Sequence, residues 1–352
     1  MGHVHNELTF GDTVSAILEG KPDKNLILVT GRAHPKLATD VAQQLGIDVL
    51  ETTAYDFANG EMYVRYTESV RGADVFVLQS HSDPVNDAIM EQLIMIDALK
   101  RASARSITAV SPLLGYSRQD KKHRGREPIS CRLVFDLLKT AGADRIMSVD
   151  LHAAQSQGFF DGPVDHLIAM PVLVDYIRDR FADDLDNVTV VSPDAGRIRV
   201  AEQWAQRLGG GPLAFVHKTR DITRPNQAVA NRVVGDVKGK DCVLVDDLSD
   251  TAGTIAGACK VLQESGAKSV TVVATHGVLS GPAVERLKNC GAREVVLTDT
   301  VPIPEEKRWD GLTVLSIAPL LASAIKAVFE DGSVAELFDT YPEHHGKGFL
   351  FA

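Results

Sequence analysis

The stretch VLVDDLSDTAGT, residues 243–254, decides the fold class of this chain. Its first residues are apolar and indicate a buried strand, and its last residues indicate a turn that begins a helix. Backbone amides at the N-terminus of a helix bind anions, because they have no carbonyl partner in a preceding turn. Asp246 and Asp247 lie beside this turn and would repel a phosphate, so an anion site and two carboxylates share one loop.

Short β-rich runs recur along the chain and alternate with longer segments of helical spacing. An example of the helical spacing is Ile89, Leu93, Ile96 and Leu99 within residues 86–100. The β-rich runs are NLILVT (25–30), DVFVLQ (74–79), SITAV (106–110), RIMSV (145–149), VTVVS (188–192), CVLVD (242–246), SVTVV (269–273), EVVLT (294–298) and TVLSI (313–317). This alternation predicts an α/β fold with mainly parallel sheets flanked by helices. Ligands of such sheets bind beyond the carboxyl ends of the strands, where DDLSDTAGT lies.

Composition restricts the class of protein. The chain has 352 residues and 44% hydrophobic residues, which is enough for two domains. Its formal net charge of −10 argues against binding to nucleic acid or to a membrane surface. No apolar run is long enough for a membrane span, and the first residues do not resemble a secretion signal. The four cysteines have no metal-binding spacing and are interpreted as reduced thiols of a cytoplasmic protein: Cys131, Cys242, Cys259 and Cys290.

The two halves of the chain repeat each other. SARSITAV (103–110) matches GAKSVTVV (266–273), and KTAGADRIMSVD (139–150) matches KNCGAREVVLTD (288–299). The first half has fourteen more residues between these two matches, and the surplus coincides with the basic loop RQDKKHRGREPIS (118–130). The repeat predicts two domains of one fold. The basic loop is either a solvated surface loop or, in an acidic chain, a local anion trap.

The repeat also predicts that only the second half keeps the anion site. Aligning Asp74 with Asp241 places the stretch after residue 78 beside the loop of residues 246–254. The positions that correspond to Asp246, Asp247, Thr251 and Gly253 are Gln79, Ser80, Pro84 and Asn86. The turn residues and the carboxylate pair have therefore been lost from the first half.

A sugar phosphate explains the combination of amides and carboxylates. The amides and the hydroxyls of Thr251 and Thr254 would bind the phosphate, while Asp246 and Asp247 would accept hydrogen bonds from vicinal hydroxyls, directly or through Mg²⁺. A pentose 5-phosphate carries both groups. The alternative is a functionless arrangement in which Asp250 caps the following helix.

These residues resemble a known family. VLVDDLSDTAGT resembles the ribose 5-phosphate loop of type I phosphoribosyltransferases and of ribose-phosphate pyrophosphokinases. Further stretches are similar to the pyrophosphokinases in particular: FANGEMYVR (57–65), GYSRQDKKHRGREPIS (115–130), DLHAAQSQGFFDGPVDHL (150–167), VVSPDAG (190–196) and HKTR (217–220). Within the second of these, KKHRGREPIS is most similar to actinobacterial members. The resemblance implies two tandem phosphoribosyltransferase-like domains related by a pseudo-twofold, at 25–168 and 169–335, with an extension at 1–24 and a tail at 336–352.

The resemblance implies a reaction in which the diphosphoryl group of ATP moves to the 1-hydroxyl of ribose 5-phosphate, giving 5-phosphoribosyl 1-diphosphate (PRPP) and AMP with Mg²⁺ as cofactor. It implies the following roles. Lys218 is catalytic; Phe57, Asn59, Gly60, Glu61, Arg118 and Gln119 bind ATP; Arg220, Asp246, Asp247, Asp250, Thr251, Ala252, Gly253 and Thr254 bind ribose 5-phosphate; His152 and Asp194 bind the metal. Lys218 is expected in a polar loop that closes over the site.

The resemblance also implies a homo-oligomer, a hexamer, in which the segment around Phe57 reaches a neighbouring subunit. Where the family usually has a second glycine after its PDxG motif, this chain has Arg197. Two alternatives stay open: a non-catalytic regulatory subunit of the same family, and a phosphoribosyltransferase that consumes PRPP. A P-loop kinase is excluded, because no G-x-x-x-x-G-K-[ST] motif occurs.

Overall fold

The computed structural model describes residues 24–219 and 230–339, and these residues form two α/β units. The strands are β1 Leu26–Thr30, β2 Thr52–Asp56, β3 Met62–Tyr66, β4 Asp74–Leu78, β5 Ser106–Ser111, β6 Arg145–Val149, β7 Val164–Leu167, β8 Val188–Ser192, β9 Leu213–Thr219, β10 Ala230–Val234, β11 Asp241–Ser249, β12 Ser269–Gly277, β13 Glu294–Thr298 and β14 Leu312–Leu315. The helices are α1 Pro35–Leu45, α2 Val85–Arg101, α3 Ser130–Ala141, α4 Met170–Arg180, α5 Ile198–Arg207, α6 Gly253–Glu264, α7 Ala283–Asn289, α8 Ala318–Phe329 and α9 Glu336–Asp339.

The strands form two large sheets and one hairpin. The first sheet has the order β1-β4-β5-β6-β7 and is parallel throughout. The second has the order β10-β9-β8-β11-β12-β13-β14 and is parallel except for β10, which pairs antiparallel with β9. Strands β2 and β3 form a separate antiparallel hairpin. The predicted α/β class with mainly parallel sheets is confirmed.

All nine β-rich runs that the sequence analysis identified are strands in the structure. The hairpin strands β2 and β3 were not predicted, because their residues are mostly half-buried or exposed and give no apolar run. The basic insertion is confirmed as a loop: residues 112–129 connect β5 to α3, whereas residues 278–282 suffice between β12 and α7. No helix in the described part of the chain is long and apolar enough to span a membrane.

The internal repeat extends to strand register and side-chain contacts. Asp74 is paired with Ser106 in the first sheet, and Asp241 is paired with Ser269 in the second. In each pair the serine hydroxyl donates to the aspartate, at 2.7 Å in the first sheet and 2.6 Å in the second. The basic residue before each serine, Arg105 or Lys268, forms an ion pair with the same aspartate. The predicted duplication is therefore confirmed at the level of single contacts.

The two units are joined by a shared core and by buried polar contacts. One apolar cluster includes residues of both sheets, and helices α1 and α8 pack against each other within it. Asp150, which follows β6, accepts a hydrogen bond from the Thr275 hydroxyl on β12 at 2.6 Å. In the reverse direction, His34 of the first unit contacts the carbonyl of Asp299 at 2.8 Å. The loops after β6 and β11 are consequently held beside each other.

Candidate active site

The strand order places a crevice in the second sheet. Strands β8 and β11 are neighbours at the centre of this sheet. The strand that follows β8 in sequence, β9, is added on one side of this pair, and the strand that follows β11, β12, is added on the other side. The direction of strand addition therefore reverses between β8 and β11. Ligands of open α/β sheets bind at such a reversal, beyond the carboxyl ends of the strands. The turn of residues 193–197 and the loop of residues 246–254 flank this position.

A cavity of about 270 Å³ lies at this position and brings most of the predicted site together. It is lined by Arg118, His152, Asp194, Arg197, Asp246, Asp247, Leu248, Asp250, Thr251, Ala252, Gly253, Thr254 and Ile255. The lining includes the predicted metal ligands, one predicted ATP residue and every predicted ribose 5-phosphate residue except Arg220. Residues distant in sequence therefore converge as the motifs indicated.

The loop of residues 250–254 has the shape of an anion cradle. Helix α6 begins at Gly253, and the preceding residue, Ala252, has a left-handed backbone with φ of 56°. This conformation is unfavourable for a residue with a Cβ atom, and the first residues of the helix, 253–255, whose amides have no partner in a preceding turn, line the cavity. Arg286 of α7 donates to the carbonyl of Thr251 at 2.9 Å and supports the loop from behind.

The structure does not realise the alternative in which Asp250 caps α6. The residue at the capping position is Ala252, whose side chain has no hydrogen-bonding group. Asp250 instead accepts a hydrogen bond from Arg118 at 2.8 Å. Its pKa is lowered: although burial acts in the opposite direction, hydrogen bonds from Ser280 and Arg118 stabilise the carboxylate.

The two adjacent carboxylates of β11 have opposite pKa shifts. Burial, together with the neighbouring charge of Asp247, raises the pKa of Asp246 to about 8. Burial would also raise the pKa of Asp247, but the hydrogen bond from His152 and the charge of Arg197 outweigh it and lower that pKa. The adjacent guanidinium of Arg197 thus favours the ionised form of Asp247, whereas burial and the charge of Asp247 disfavour ionisation of Asp246.

His152 and Asp194 both line the cavity. His152 follows β6, and its Nδ1 lies 2.8 Å from Asp247 Oδ2. Asp194 follows β8, and its carboxylate accepts a hydrogen bond from the Gly196 amide at 2.9 Å. An Nδ1–H bond to a carboxylate is the usual arrangement of a metal-binding histidine, because it leaves Nε2 for the ligand. Among the described residues, no three His, Cys, Asp or Glu side chains converge as a preformed metal cage.

The basic loop after β5 contributes Arg118 to the cavity. Its neighbour Gln119 is exposed and is not among the lining residues. A larger cavity of about 550 Å³ adjoins the first and shares Arg118, His152 and Asp194 with it, and Lys121 and His123 of the basic loop also line it. The basic loop therefore contributes cations to the wall of a space beside the loop of residues 250–254, which is termed the phosphate loop after its predicted ligand.

The other predicted ATP residues lie in the turn of the β2–β3 hairpin and do not line either cavity. The amide of Phe57 donates to the carbonyl of Glu61 at 2.7 Å, and Gly60 adopts a left-handed φ of 88° that closes the turn. The Phe57 ring is 47% exposed and packs edge to face against Tyr55 and Tyr63. Within one chain, this hairpin and the phosphate loop are not brought together.

Two predicted residues of the HKTR motif cannot be placed in the site. Arg220 lies outside the described residues. The backbone of Lys218 belongs to β9, where it pairs with Asn231 of β10, and its side chain is outside the described part. The expectation that Lys218 lies in a loop is wrong, because the antiparallel pairing with β10 extends β9 through Thr219.

The first half has lost its cradle, as predicted. The side chain of Gln79 fills the space, since its Oε1 would lie 2.4 Å from a Cβ atom placed on Gly31. Gln79 accepts from the Ala33 amide at 3.2 Å and donates to Glu91 at 2.6 Å. The Ser80 hydroxyl donates to the carbonyl of Thr300 in the second unit. The space of the former ligand site now belongs to the interior of the protein.

Sequence reasoning did not assign Arg197, Arg286 or Asp150 to the site. Arg197 was interpreted only as a departure from the family pattern, although a basic residue in the turn that follows a strand at the carboxyl edge of a sheet is a usable signal. Arg286 and Asp150 act from other elements, on Thr251 and Thr275 respectively. No pattern in the sequence connects these pairs.

Comparison with known proteins agrees with this geometry. Residues 26–142 match a family model described as the N-terminal domain of ribose phosphate pyrophosphokinase, and residues 215–339 match the phosphoribosyl synthetase-associated domain. The chain is 94% identical to a ribose-phosphate pyrophosphokinase of Bifidobacterium longum, over 96% of this chain and all of the relative. It is 65% identical to one of Corynebacterium efficiens, over 90% of this chain and 96% of the relative.

A solved structure is also similar. The crystal structure of phosphoribosylpyrophosphate synthetase from Mycobacterium smegmatis is 65% identical and has a TM-score of 0.84, covering 88% of this chain and all of that chain.

The fold and the site thus define a duplicated α/β protein with a cavity and a helix N-terminal loop at the reversal of its second sheet. The chain belongs to the ribose-phosphate pyrophosphokinase family. The predicted activity, diphosphoryl transfer to a ribose phosphate, and the predicted similarity to actinobacterial members are both confirmed.

Proposed function

We propose that the cavity between β8 and β11 binds ribose 5-phosphate and is the place of the transfer. The 5-phosphate binds the amides and hydroxyls of residues 251–254, and the ribose hydroxyls donate to Asp246 and Asp247. The observation that carries this proposal is the convergence of the phosphate loop, the carboxylate pair and two arginines, Arg118 and Arg197, in one cavity.

In the reaction, the 1-hydroxyl of ribose 5-phosphate attacks the β-phosphorus of ATP. The bond from that phosphorus to the α,β-bridging oxygen breaks, AMP leaves with the electron pair, and the hydroxyl proton passes to solvent. Such a transfer needs positioning and charge neutralisation more than covalent chemistry. Arg118 supplies one cation at the cavity. The resemblance of the HKTR motif to the family implies that Lys218 and Arg220 would supply two more cations.

Mg²⁺ is the proposed cofactor of this site. It prefers oxygen ligands and usually retains several waters, so one or two protein groups together with substrate phosphates complete its coordination. Asp194 would supply a carboxylate and His152 its Nε2. When bound, the ion neutralises charge on the ATP phosphates. Asp247, bonded to His152 Nδ1, orients the histidine ring.

ATP binding requires a second subunit in this proposal. Phe57, Asn59, Gly60 and Glu61 present an exposed turn that does not line the cavities of its own chain, while Arg118 and Gln119 belong to the basic loop. Exposed apolar side chains on and beside α2 and α3 give subunits a surface on which to associate: Met90, Ile129, Leu133 and Leu137. A homohexamer is proposed, and light scattering on the purified chain measures it.

Two further features are proposed with the function. The protein is cytoplasmic, which agrees with four free and buried cysteines in the described residues. The domains are residues 25–168 and 169–335, since the strands of the first sheet all lie in the former range and those of the second sheet in the latter.

Calorimetric titration with ribose 5-phosphate tests the assignment of the cavity. Asp246→Asn replaces one carboxyl oxygen proposed to meet a ribose hydroxyl by an NH2 group, and it should weaken binding by roughly tenfold to a hundredfold, the usual loss when a buried polar group is left without its partner. Asp186→Asn is the matched control, because Asp186 is exposed at the opposite edge of the same sheet. Equal affinities of the two variants for ribose 5-phosphate would mean that Asp246 does not bind the sugar.

The alternative of a non-catalytic regulatory subunit makes a different prediction for a direct assay. The purified chain should release AMP from ATP at a rate that depends on ribose 5-phosphate. Binding of both substrates without release of AMP would favour the regulatory alternative.

A further inference from the structure

Arg197 lines the cavity, but the sequence motifs assign it no role there. It follows Asp194 in the turn after β8, and its side chain is only 19% exposed. Its guanidinium lines the same cavity as the phosphate loop and contacts the carboxylates of the proposed sugar site. A cation that is largely removed from water needs partners, and the partners of Arg197 are all residues of this site.

The contacts of Arg197 form a connected network. Its Nη2 donates to Asp247 Oδ2 and lies 2.9 Å from His152 Nδ1. Its Nε lies 3.9 Å from Asp246 Oδ1. His152 Nδ1 in turn lies 2.8 Å from the same oxygen of Asp247. One carboxylate oxygen of Asp247 is therefore held from two directions, while Arg197 also faces the second carboxylate of the pair.

This network reduces the charge repulsion between the two adjacent carboxylates. Asp246 and Asp247 are buried side by side at the end of β11 and repel each other when both are ionised. A planar guanidinium with several donors fixes a carboxylate in one orientation more effectively than a flexible point charge does. With Oδ2 engaged by Arg197 and His152, the orientation of Oδ1 is determined as well.

We propose that Arg197 is a positioning residue for ribose 5-phosphate: it holds Asp247 so that the second carboxylate oxygen meets a ribose hydroxyl. The inference rests on the proposed function of the cavity as the sugar site. Arg197 acts through Asp247 and needs no contact with the substrate. It belongs to ligand binding, so its loss should raise the KM for ribose 5-phosphate and leave the chemical step largely intact.

Kinetics of Arg197→Gln and Arg197→Lys test the proposal. For Arg197→Gln, the KM for ribose 5-phosphate should rise about tenfold to a hundredfold, while the KM for ATP and kcat change less than about threefold. Arg197→Lys retains the charge but loses the planar donors, and it should rescue part of the effect. Arg101→Gln removes an exposed arginine of α2 and is the matched control.

A double-mutant cycle with Asp247→Asn separates positioning from a simple effect of charge. If Arg197 acts through Asp247, then Arg197→Gln should change the affinity for ribose 5-phosphate less than about twofold in the Asp247→Asn background. An undiminished effect in that background would mean direct or long-range attraction of the phosphate and would overturn the proposal. So would an unchanged KM for ribose 5-phosphate in Arg197→Gln.

Two outcomes distinguish the inference from the proposed function. If Asp246→Asn weakens ribose 5-phosphate and Arg197→Gln does not, only the role of Arg197 is wrong. If neither variant affects ribose 5-phosphate, the cavity itself is not the sugar site. Should Arg197→Gln fail to fold, Arg197→Lys decides: a KM equal to that of the unmodified chain would contradict the need for a guanidinium.

Discussion

Arg118 Nη2 donates to Asp250 Oδ2 at 2.8 Å, and this ion pair joins the basic loop of the first unit to the phosphate loop of the second. The Arg118 side chain is 54% exposed, so solvent screens the pair and its contribution to stability is small, at most about 1 kcal/mol. An ion pair of this kind is exchanged for a ligand at little cost. The residue proposed to meet ATP is therefore held beside the residue proposed to meet ribose 5-phosphate.

Replacement of Arg118 should affect nucleotide binding and spare the fold. Arg118→Ala is expected to raise the KM for ATP about tenfold or more, since a hydrogen bond from a charged donor is lost. The melting temperature should stay within a few degrees, because the second unit folds without a counterpart of this loop. Steady-state kinetics and a thermal melt measure both quantities. A poorly folded variant with unchanged KM for ATP would assign the loop a structural role.

Lys218 should act mainly on the chemical step. A cation that reaches the phosphates as charge moves towards AMP stabilises the transition state more than the bound substrates. By analogy with cationic residues of other phosphoryl transfers, Lys218→Ala should lower kcat by about 10³–10⁵. Calorimetry should still detect both substrates. A kcat within a few fold of the unmodified chain, with weaker ATP binding, would make Lys218 a docking residue.

The strands and the phosphate loop were predictable because their signals are local. An apolar run followed by DDLSDTAGT specifies a strand, a turn and a helix N-terminus within twelve residues. The internal repeat aligns Asp74 with Asp241 and Ser106 with Ser269, and these are the residues that are paired in the two sheets. The carboxyl edge of the sheet followed from the fold class.

The remaining contacts depend on tertiary structure. The hairpin strand β2 has no buried side chain and therefore no apolar pattern. The contact of Arg197 with Asp247 joins residues 50 positions apart, and that of Arg118 with Asp250 joins residues 132 apart. Lys218 was misplaced in a loop because the antiparallel partner β10 extends a strand through polar sequence. Such strand pairing depends on the neighbouring strands of the sheet, so the local β-propensity of the sequence does not predict it.

Two histidines, the buried His81 and the half-buried His166, should make the protein sensitive to acid. Burial lowers the pKa of His81 and of His166 to about 4. Each ring accepts a backbone hydrogen bond that requires a neutral nitrogen: His81 from Gly115 and His166 from Leu151, both at 2.9 Å. The unfolded chain, whose histidines titrate near 6.5, binds more protons between about pH 6.5 and 4. The free energy of unfolding should therefore fall as the pH decreases through that range.

Urea denaturation at about pH 7 and about pH 5 measures this dependence. His81→Gln should lower stability at both values but reduce the difference between them, because one titrating group is lost. An unchanged difference in both His81→Gln and His166→Gln would mean that other groups control the acid sensitivity.

The β2–β3 hairpin should depend on Arg32 for its position. Arg32 donates to both oxygens of Asp56 at 2.8 and 3.2 Å, and it also pairs with the buried Glu91 of α2. Asp56 directly precedes Phe57. Asp56→Asn breaks the connection without exposing Glu91, and it should raise the KM for ATP about threefold to tenfold while sparing ribose 5-phosphate.

Asp97→Asn is the control for this prediction, because Asp97 forms an exposed ion pair with Arg101 on α2. Equal KM values for ATP in the two variants would show that the Arg32–Asp56 contact does not position the hairpin for ATP. Steady-state kinetics with each substrate varied in turn measures the difference.

A crystal structure with ribose 5-phosphate bound tests the central claim most directly, namely that the cavity between β8 and β11 is the sugar-phosphate site. The 5-phosphate should lie about 3 Å from the backbone amides of residues 251–254, with two ribose hydroxyls against Asp246 and Asp247. Arg197 should remain on Asp247. Ribose 5-phosphate bound elsewhere, with residues 246–254 free of it, would contradict the assignment of the site.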